Sequence, residues 1–307
     1  MRILALCALG ALLHAADPVP DEKAKEAIAL FQEAFQGEIE AKQNAVYNLH
    51  DVPNDLVLKE LEKVFKSKDA KIRNVAALAV GGQNHDPQKA GEVLMKFYRK
   101  DFATEDVIAS CLEGMAELKY MGYWPEIRPA LKDERNIVIV RILDLFGTTQ
   151  DWRTFPDLVA LYREVMPRRI SWATGEVKVD TGAAGNEDAD AAKAEFNKRY
   201  GAGGSKEQAK AKAKANAFDL RNFSPQIKAC VKRITGETFD NAFDLEEWWC
   251  ENYIMVAKKI AELEGKDPES VVARAKAEQA ELKAKIDEDR KKMEEDLAKQ
   301  REDAKKK

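Results

Sequence analysis

Histidine and cysteine are scarce in this sequence, and their scarcity limits the chemistry it can support. The chain of 307 residues contains three histidines and four cysteines, with no CxxC or HxxxH spacing among them. His14 lies in an apolar N-terminal run, while His50 and His85 fall in predicted turns without a second ligand at metal-binding spacing. Cys111 lies on a predicted core stripe, away from any histidine that would activate it. We therefore predict no catalytic residues, no cofactor and no metal site.

Long apolar runs are also lacking. The run Ile3–Leu13 is shorter than the roughly 20 apolar residues that a membrane-spanning helix needs. A basic residue precedes it and the small residues Ala15 and Ala16 follow, which is the order of a cleavable signal peptide. We predict a signal peptide at residues 1–16, cleaved after Ala15 or Ala16, and a periplasmic or secreted protein with no transmembrane segment after cleavage. The alternative is that the run forms a buried first helix.

There is no excess of charge of one sign. The chain has 50 Lys and Arg against 54 Asp and Glu, a formal net charge of −4, and the two signs are interspersed. A nucleic-acid-binding protein needs a continuous basic face to meet the phosphate backbone. This distribution therefore excludes nucleic acid from the predicted partners.

What the sequence does contain is a recurring helical stripe. Apolar residues spaced at i, i+3, i+4 and i+7 fall on one side of a helix, and three such stripes follow one another. Their members are Val75, Leu78 and Ala79, then Ile108, Cys111, Leu112 and Met115, then Ile139, Ile142, Leu143 and Phe146. The stripes recur about every 30 residues, a period typical of stacked repeats in which each unit covers its neighbour.

One copy of this stripe resembles a known repeat. The string DAKIRNVAALAVGG, residues 69–82, has an Asp, then Ile-Arg, then an Ala-rich apolar core closed by glycines. It resembles the second helix of a HEAT-type repeat, of the shorter phycobilisome-lyase-like variety. The resemblance implies an all-α fold, an α-solenoid of antiparallel helix pairs that scaffolds or binds proteins. It brings no catalytic residues, because the motif is a packing motif.

The repeats are predicted to occupy residues 17–167, and an irregular insertion follows at residues 168–223. Within it, residues 171–179 alternate apolar and polar side chains around Thr-Gly, which predicts a small β-hairpin. Arg168, Arg169 and Trp172 are candidate partner-binding residues, because Arg and Trp are enriched at binding hot spots. The alternative is that Trp172 only fixes the hairpin to the solenoid.

After the insertion, residues 224–265 are predicted to form the last repeat and a covering helix. Ile227, Cys230, Val231 and Ile234 restore the stripe, and Gly236 closes that helix. Asp244 is predicted to cap a long helix that Gly265 ends. The adjacent Trp248 and Trp249 point about 100 degrees apart on a helix, so we expect Trp249 inward and Trp248 over the preceding turn.

Residues 266–307 are rich in Ala, Glu, Lys and Arg, with sparse apolar positions, which predicts a long charged helix. Two interpretations remain open for this tail. It is either a solvated helix or one strand of a dimeric coiled coil, in which case Gln279 and Asp289 interrupt the apolar seam.

The three cysteines after the signal peptide are Cys111, Cys230 and Cys250. An odd number in an oxidising compartment leaves at least one thiol unpaired. Cys230 and Cys250 lie on successive predicted helices, so they either form a disulfide or remain separate thiols.

The predicted function is non-catalytic protein binding or scaffolding outside the cytoplasm. The concave row of inner helices and the insertion are the expected contact surfaces for a protein partner. The alternative is a lyase-like enzyme or an accessory subunit of an envelope enzyme, by analogy with lyase-type repeat proteins.

Overall fold

The computed structural model describes residues 17–101, 103–124, 126–132, 135–167 and 220–306. All the regular elements in these ranges are helical, so the all-α prediction is confirmed for this part of the chain. The helices belong to two compact units, residues 1–149 and residues 150–307. The predicted hairpin at residues 171–179 lies outside the described residues.

The described part of the first unit contains seven α-helices. In chain order they are α1 Asp21–Ala34, α2 Ile39–Tyr47, α3 Asp55–Val64, α4 Ala70–Gly81, α5 Pro87–Lys100, α6 Glu105–Glu117 and α7 Asn136–Thr149. Between α6 and α7 the described residues form a 3₁₀ turn at Arg128–Lys132. Tyr123 before this turn is buried, and its hydroxyl lies 3.0 Å from that of Thr149 on α7.

Side-chain caps determine where several of these helices begin. Asn54, Asp69 and Asp86 precede α3, α4 and α5, and each accepts a hydrogen bond from a backbone N–H in the first turn. Pro87 follows Asp86 at the first position of α5, where its missing N–H costs no helical hydrogen bond. Thr104 occupies the N-cap position of α6, but its hydroxyl donates to the Asp101 carboxylate and not to the helix backbone.

Four helices of the first unit, which we call the inner row, contact one another in succession. α4 packs against α2 and α6, and α6 packs against α7. The axes of α4 and α6 come close where Gly81 meets Gly114, since a Cβ atom on Gly81 would lie 2.9 Å from the Gly114 Cα. The helices with successive stripes are therefore neighbours in space as well as in sequence.

Outer helices α3 and α5 run alongside each other in the same direction. Lys89 donates to Asp55 at 2.6 Å, and Lys96 donates to Glu62 at 3.1 Å. Both pairs are separated by 34 residues, so the register between the two helices is constant.

Two of the three predicted stripes in the first unit are fully buried. The stripes of α6 and α7 are buried along their whole length. On α4, Ala79 is buried, but Val75 and Leu78 are only half-buried. Ile72, Ala76 and Val80 form the core side of α4 instead. Apolar spacing alone identified a helix there but not the side that faces the core.

The second unit contains four described α-helices. They are α8 Phe155–Val165, α9 Ser224–Thr235, α10 Ala242–Leu263 and α11 Val272–Lys306. α8 packs against α9 and α10, and α10 packs along α11. Gly236 ends α9 with a φ of 82°, the left-handed conformation that favours glycine, so the predicted stop is confirmed.

The predicted cap of the long helix α10 is wrong. Asn241, not Asp244, holds the N-cap position and accepts hydrogen bonds from the backbone N–H groups of Phe243 and Asp244. The Asn241 amide also donates to the Asp244 carboxylate at 2.6 Å. Both residue types suit a helix start, and the aspartate lies three residues too late to be the cap.

The tail helix α11 packs within its own chain. Ile286 is buried against Phe243 and Cys250 of α10, and Leu282 and Met293 cover the same cluster. The solvated helix, one of the two interpretations left open for this tail, therefore does not hold on the side of α11 that α10 covers.

Candidate protein-binding face

The candidate functional site is the exposed side of the inner row, which we call the inner face. On each helix the exposed positions are spaced by three or four residues, so they lie along one side. Its exposed or half-buried members are Lys71, Asn74, Val75 and Leu78 on α4, Glu113 and Glu117 on α6, and Ile137, Val140, Arg141 and Asp144 on α7. Ser110 of α6 follows the same spacing but is buried.

Polar side chains connect the three helices across this face. The Ser110 hydroxyl of α6 donates to the Asn74 side chain of α4. On the other side of α6, the Arg141 guanidinium of α7 lies 2.9 Å from the Glu113 carboxylate. Because Ser110 and Glu113 are three residues apart on α6, both contacts lie on the same surface. The contacts tie α4 and α7 to the helix between them.

His50 marks the α2 end of the inner face. Its Nε2 lies 3.1 Å from Glu117, its Nδ1 lies 2.8 Å from Asp51, and its ring stacks on Tyr47 with centroids 5.7 Å apart. Burial lowers the pKa of His50, but the hydrogen bond with Asp51 and the charge of Glu117 outweigh it, so the pKa is raised. When it is protonated, the imidazole can hold both carboxylates at this end of the face.

Apolar side chains flank the polar centre of the inner face. Val75 and Leu78 are half-buried on α4, and Val140 is half-buried on α7. Ile137 is among the exposed large hydrophobic residues, with 38% of its surface accessible. A mixture of apolar and hydrogen-bonding groups is the usual composition of a protein interface. The face is suited to binding by surface complementarity.

The sequence predicted three partner-binding residues at the start of the insertion. Arg168, Arg169 and Trp172 lie outside the described residues, so their role stays a prediction. The inner-row location itself was predicted, but its individual residues were not. The sequence feature that could have found them is the polar Asn74, which lies four residues before Leu78 and so on the same side of α4.

Of the two alternatives for Cys230 and Cys250, the structure contains separate thiols. Both are buried, and no disulfide joins these two residues. Cys230 lies on the core side of α9, which packs on α8, whereas the Cys250 sulfur faces α11 and lies 3.8 Å from the Gln279 carbonyl oxygen. Burial raises the pKa of Cys111 and Cys250, so neither thiol is a ready nucleophile.

The second unit contains an aromatic cluster around Trp248. This indole stacks on Trp152 at 6.5 Å, meets Phe155 and Phe239 edge-on, and donates its N–H to Glu237 at 2.9 Å. Such contacts are those of a packed aromatic residue whose polar edge is satisfied. They agree with the expectation that Trp248 packs over the chain that precedes it. Trp249, which was expected to point inward, is only half-buried.

The described residues contain neither a metal-binding group nor a helix that could span a membrane. No group of three or more His, Cys, Asp or Glu side chains in that part of the chain is arranged to hold a metal ion. None of the helices described there combines the length and apolar character needed to cross a bilayer.

Comparisons with known proteins give no relative. No protein-family model matches the chain, and no similar protein is found among curated proteins or solved structures.

Proposed function

We propose that this chain is an exported α-solenoid of HEAT-like repeats that binds a partner protein through its inner face. The observation that supports it best is the constant register between successive helix pairs of the first unit. The pairs Asp55–Lys89 and Glu62–Lys96 each span 34 residues, and the Gly81–Gly114 contact spans 33. Contacts that repeat one unit further along the chain are those expected of stacked repeats.

Stacking leaves one side of every inner helix uncovered, and this uncovered side is where solenoid repeats bind their partners. The inner face combines half-buried apolar residues with side chains already fixed by neighbouring helices. Asn74 and Arg141 are examples. Preordered side chains lose less conformational entropy on binding, which favours a protein ligand on this surface.

A site-specific photocross-linker tests the binding role. Introduced at Ile137 on the inner face, it should form a discrete adduct with a protein partner in cells. Leu30 on α1 offers a matched control position, because it is also an exposed apolar residue of the first unit. Adducts from both positions alike, or from Leu30 alone, would contradict binding through the inner face.

The exported location is tested separately. N-terminal sequencing of the protein isolated from cells should give Asp17 or the neighbouring Ala16 as its first residue. A chain that starts at Met1 in the cytoplasmic fraction would refute export and leave the binding role to the cross-linking experiment.

A further inference from the structure

A groove between α3 and α5 concentrates positive charge on the first unit. Five lysines line it: Lys59, Lys63 and Lys66 on and just after α3, and Lys96 and Lys100 on α5. All five are exposed, and Glu62 is the single acidic residue in the lining. The whole chain has a net charge of −4, so this groove departs from the average composition.

Two aromatic rings form the base of the groove. Phe65 and Phe97 are buried and stack face to face with centroids 3.4 Å apart. Lysine side chains pack their aliphatic stems on apolar surface and extend their ammonium groups into water. The rings therefore separate two rows of positive charge, with Lys59, Lys63 and Lys66 at i, i+4 and i+7 in one row.

Three of the five lysines lack a salt-bridge partner in the described residues, although the Asp101 carboxylate attracts Lys100 at longer range. Lys63 pairs with Glu60 and Lys96 pairs with Glu62. For Lys59, Lys66 and Lys100, the described part of the structure contains no side-chain hydrogen bond or ion pair. Like charges held in one groove repel one another, and an anionic ligand relieves that repulsion.

The shape of the groove favours a polypeptide over a membrane surface. A lipid-binding patch normally adds exposed apolar side chains that enter the bilayer. The exposed large hydrophobic residues of the described chain do not line this groove, and Phe65 and Phe97 are covered. Glu60 and Glu62 would also meet a flat anionic surface, whereas a narrow chain can lie between the lysine rows.

We infer that the groove between α3 and α5 binds an acidic segment of a partner protein, with Lys59, Lys66 and Lys100 contacting its carboxylates. This inference rests on the proposed protein-binding function and adds the chemistry of the partner. The groove and the inner face are separate surfaces, so each has its own test.

Fluorescence anisotropy with a labelled oligoglutamate measures this binding. The variant Lys59→Glu/Lys66→Glu/Lys100→Glu should bind about tenfold more weakly than the unaltered protein, and added salt should weaken the binding of the unaltered protein. The control Lys23→Glu/Lys25→Glu/Lys285→Glu makes the same change in net charge at exposed lysines elsewhere and should bind normally. A Lys→Gln set at the three groove positions should show an intermediate loss, in case the charge reversals disturb folding.

Three results would overturn the inference. The first is that oligoglutamate does not bind at low salt. The second is that the groove and control variants lose the same affinity for oligoglutamate. The third is that the protein binds phosphatidylglycerol vesicles more tightly than it binds the peptide. An inner-face adduct at Ile137 without oligoglutamate binding would refute the groove and leave the proposed function standing. Oligoglutamate binding without any such adduct would refute the inner face alone.

Discussion

His50 shows how a single residue couples helices of the first unit. It follows α2 in sequence, and its imidazole reaches Glu117 at the end of α6. Gly82, after α4, leaves space for it, since a Cβ atom there would lie 2.3 Å from the His50 carbonyl oxygen. The sequence placed His50 in a turn, but a contact across 67 residues could not be found from local spacing.

The raised pKa of His50 predicts a pH-dependent contribution to stability. Its stabilising effect is fully present below the unfolded-state pKa near 6.5 and is lost as pH rises through the higher folded-state pKa. His50→Gln should therefore lower the free energy of unfolding at pH 5.5, by at most about 1 kcal/mol because Asp51 and Glu117 are exposed. Urea unfolding of both proteins between pH 5.5 and 8.5 measures the difference. A difference that stays constant over this range would show that His50 acts through packing alone.

Gly81 is a second residue whose role the sequence indicated only in part. The sequence indicated a helix stop, and α4 does end there, but the lack of a side chain also lets α6 approach. Gly81→Ala should destabilise the protein by about 1–3 kcal/mol, because the added methyl meets the Gly114 backbone, which has little room to move. Lys71→Ala, at an exposed site of the same helix, should change stability by less than about 0.5 kcal/mol. Chemical denaturation of the two variants gives the comparison, and an unchanged Gly81→Ala would mean that the helices can separate without cost.

At the scale of the element, helix existence was predictable and helix partners were not. Stripes of period 3.6 identified α6, α7 and α9, because each must bury one side whatever covers it. The sparse apolar residues of α11 gave too weak a stripe to name a partner. Gly265 has a φ of 70°, and the chain reverses there so that α11 packs along α10. The apolar pattern of α11 alone does not contain this reversal.

The packing of α11 on α10 predicts a clear difference between two neighbouring residues. Ile286→Ala should cost about 2–4 kcal/mol of unfolding free energy, because the side chain is buried against Phe243 and Cys250. Lys285→Ala should be near neutral, since Lys285 is exposed. Thermal unfolding at two protein concentrations checks both. A loss that disappears on dilution would instead indicate the dimeric coiled coil, and no loss at all would indicate a solvated helix.

At the scale of the whole molecule, the sequence predicted the all-α class, which the described residues confirm, and a repeat period, which stays a prediction. Both follow from patterns within about 40 residues. The identity of the inner-face residues depended on which side of α4 faces the core, and Val75 and Leu78 were assigned to the wrong side. That choice is made by the neighbouring helices α2 and α6, which lie outside the local pattern.

A continuous inner face requires that α4 and α7 flank α6. Pulsed electron spin resonance measures the distance between α4 and α7 directly. Spin labels on Val75→Cys and Val140→Cys would lie on either side of α6, while Cys111, Cys230 and Cys250 are buried and would be replaced by serine or alanine. Two steps between adjacent helix axes of 8–10 Å predict one narrow distribution centred at about 15 to 25 Å. A distance above about 35 Å, or a distribution without a single maximum, would contradict the continuous inner face and the binding function proposed for it.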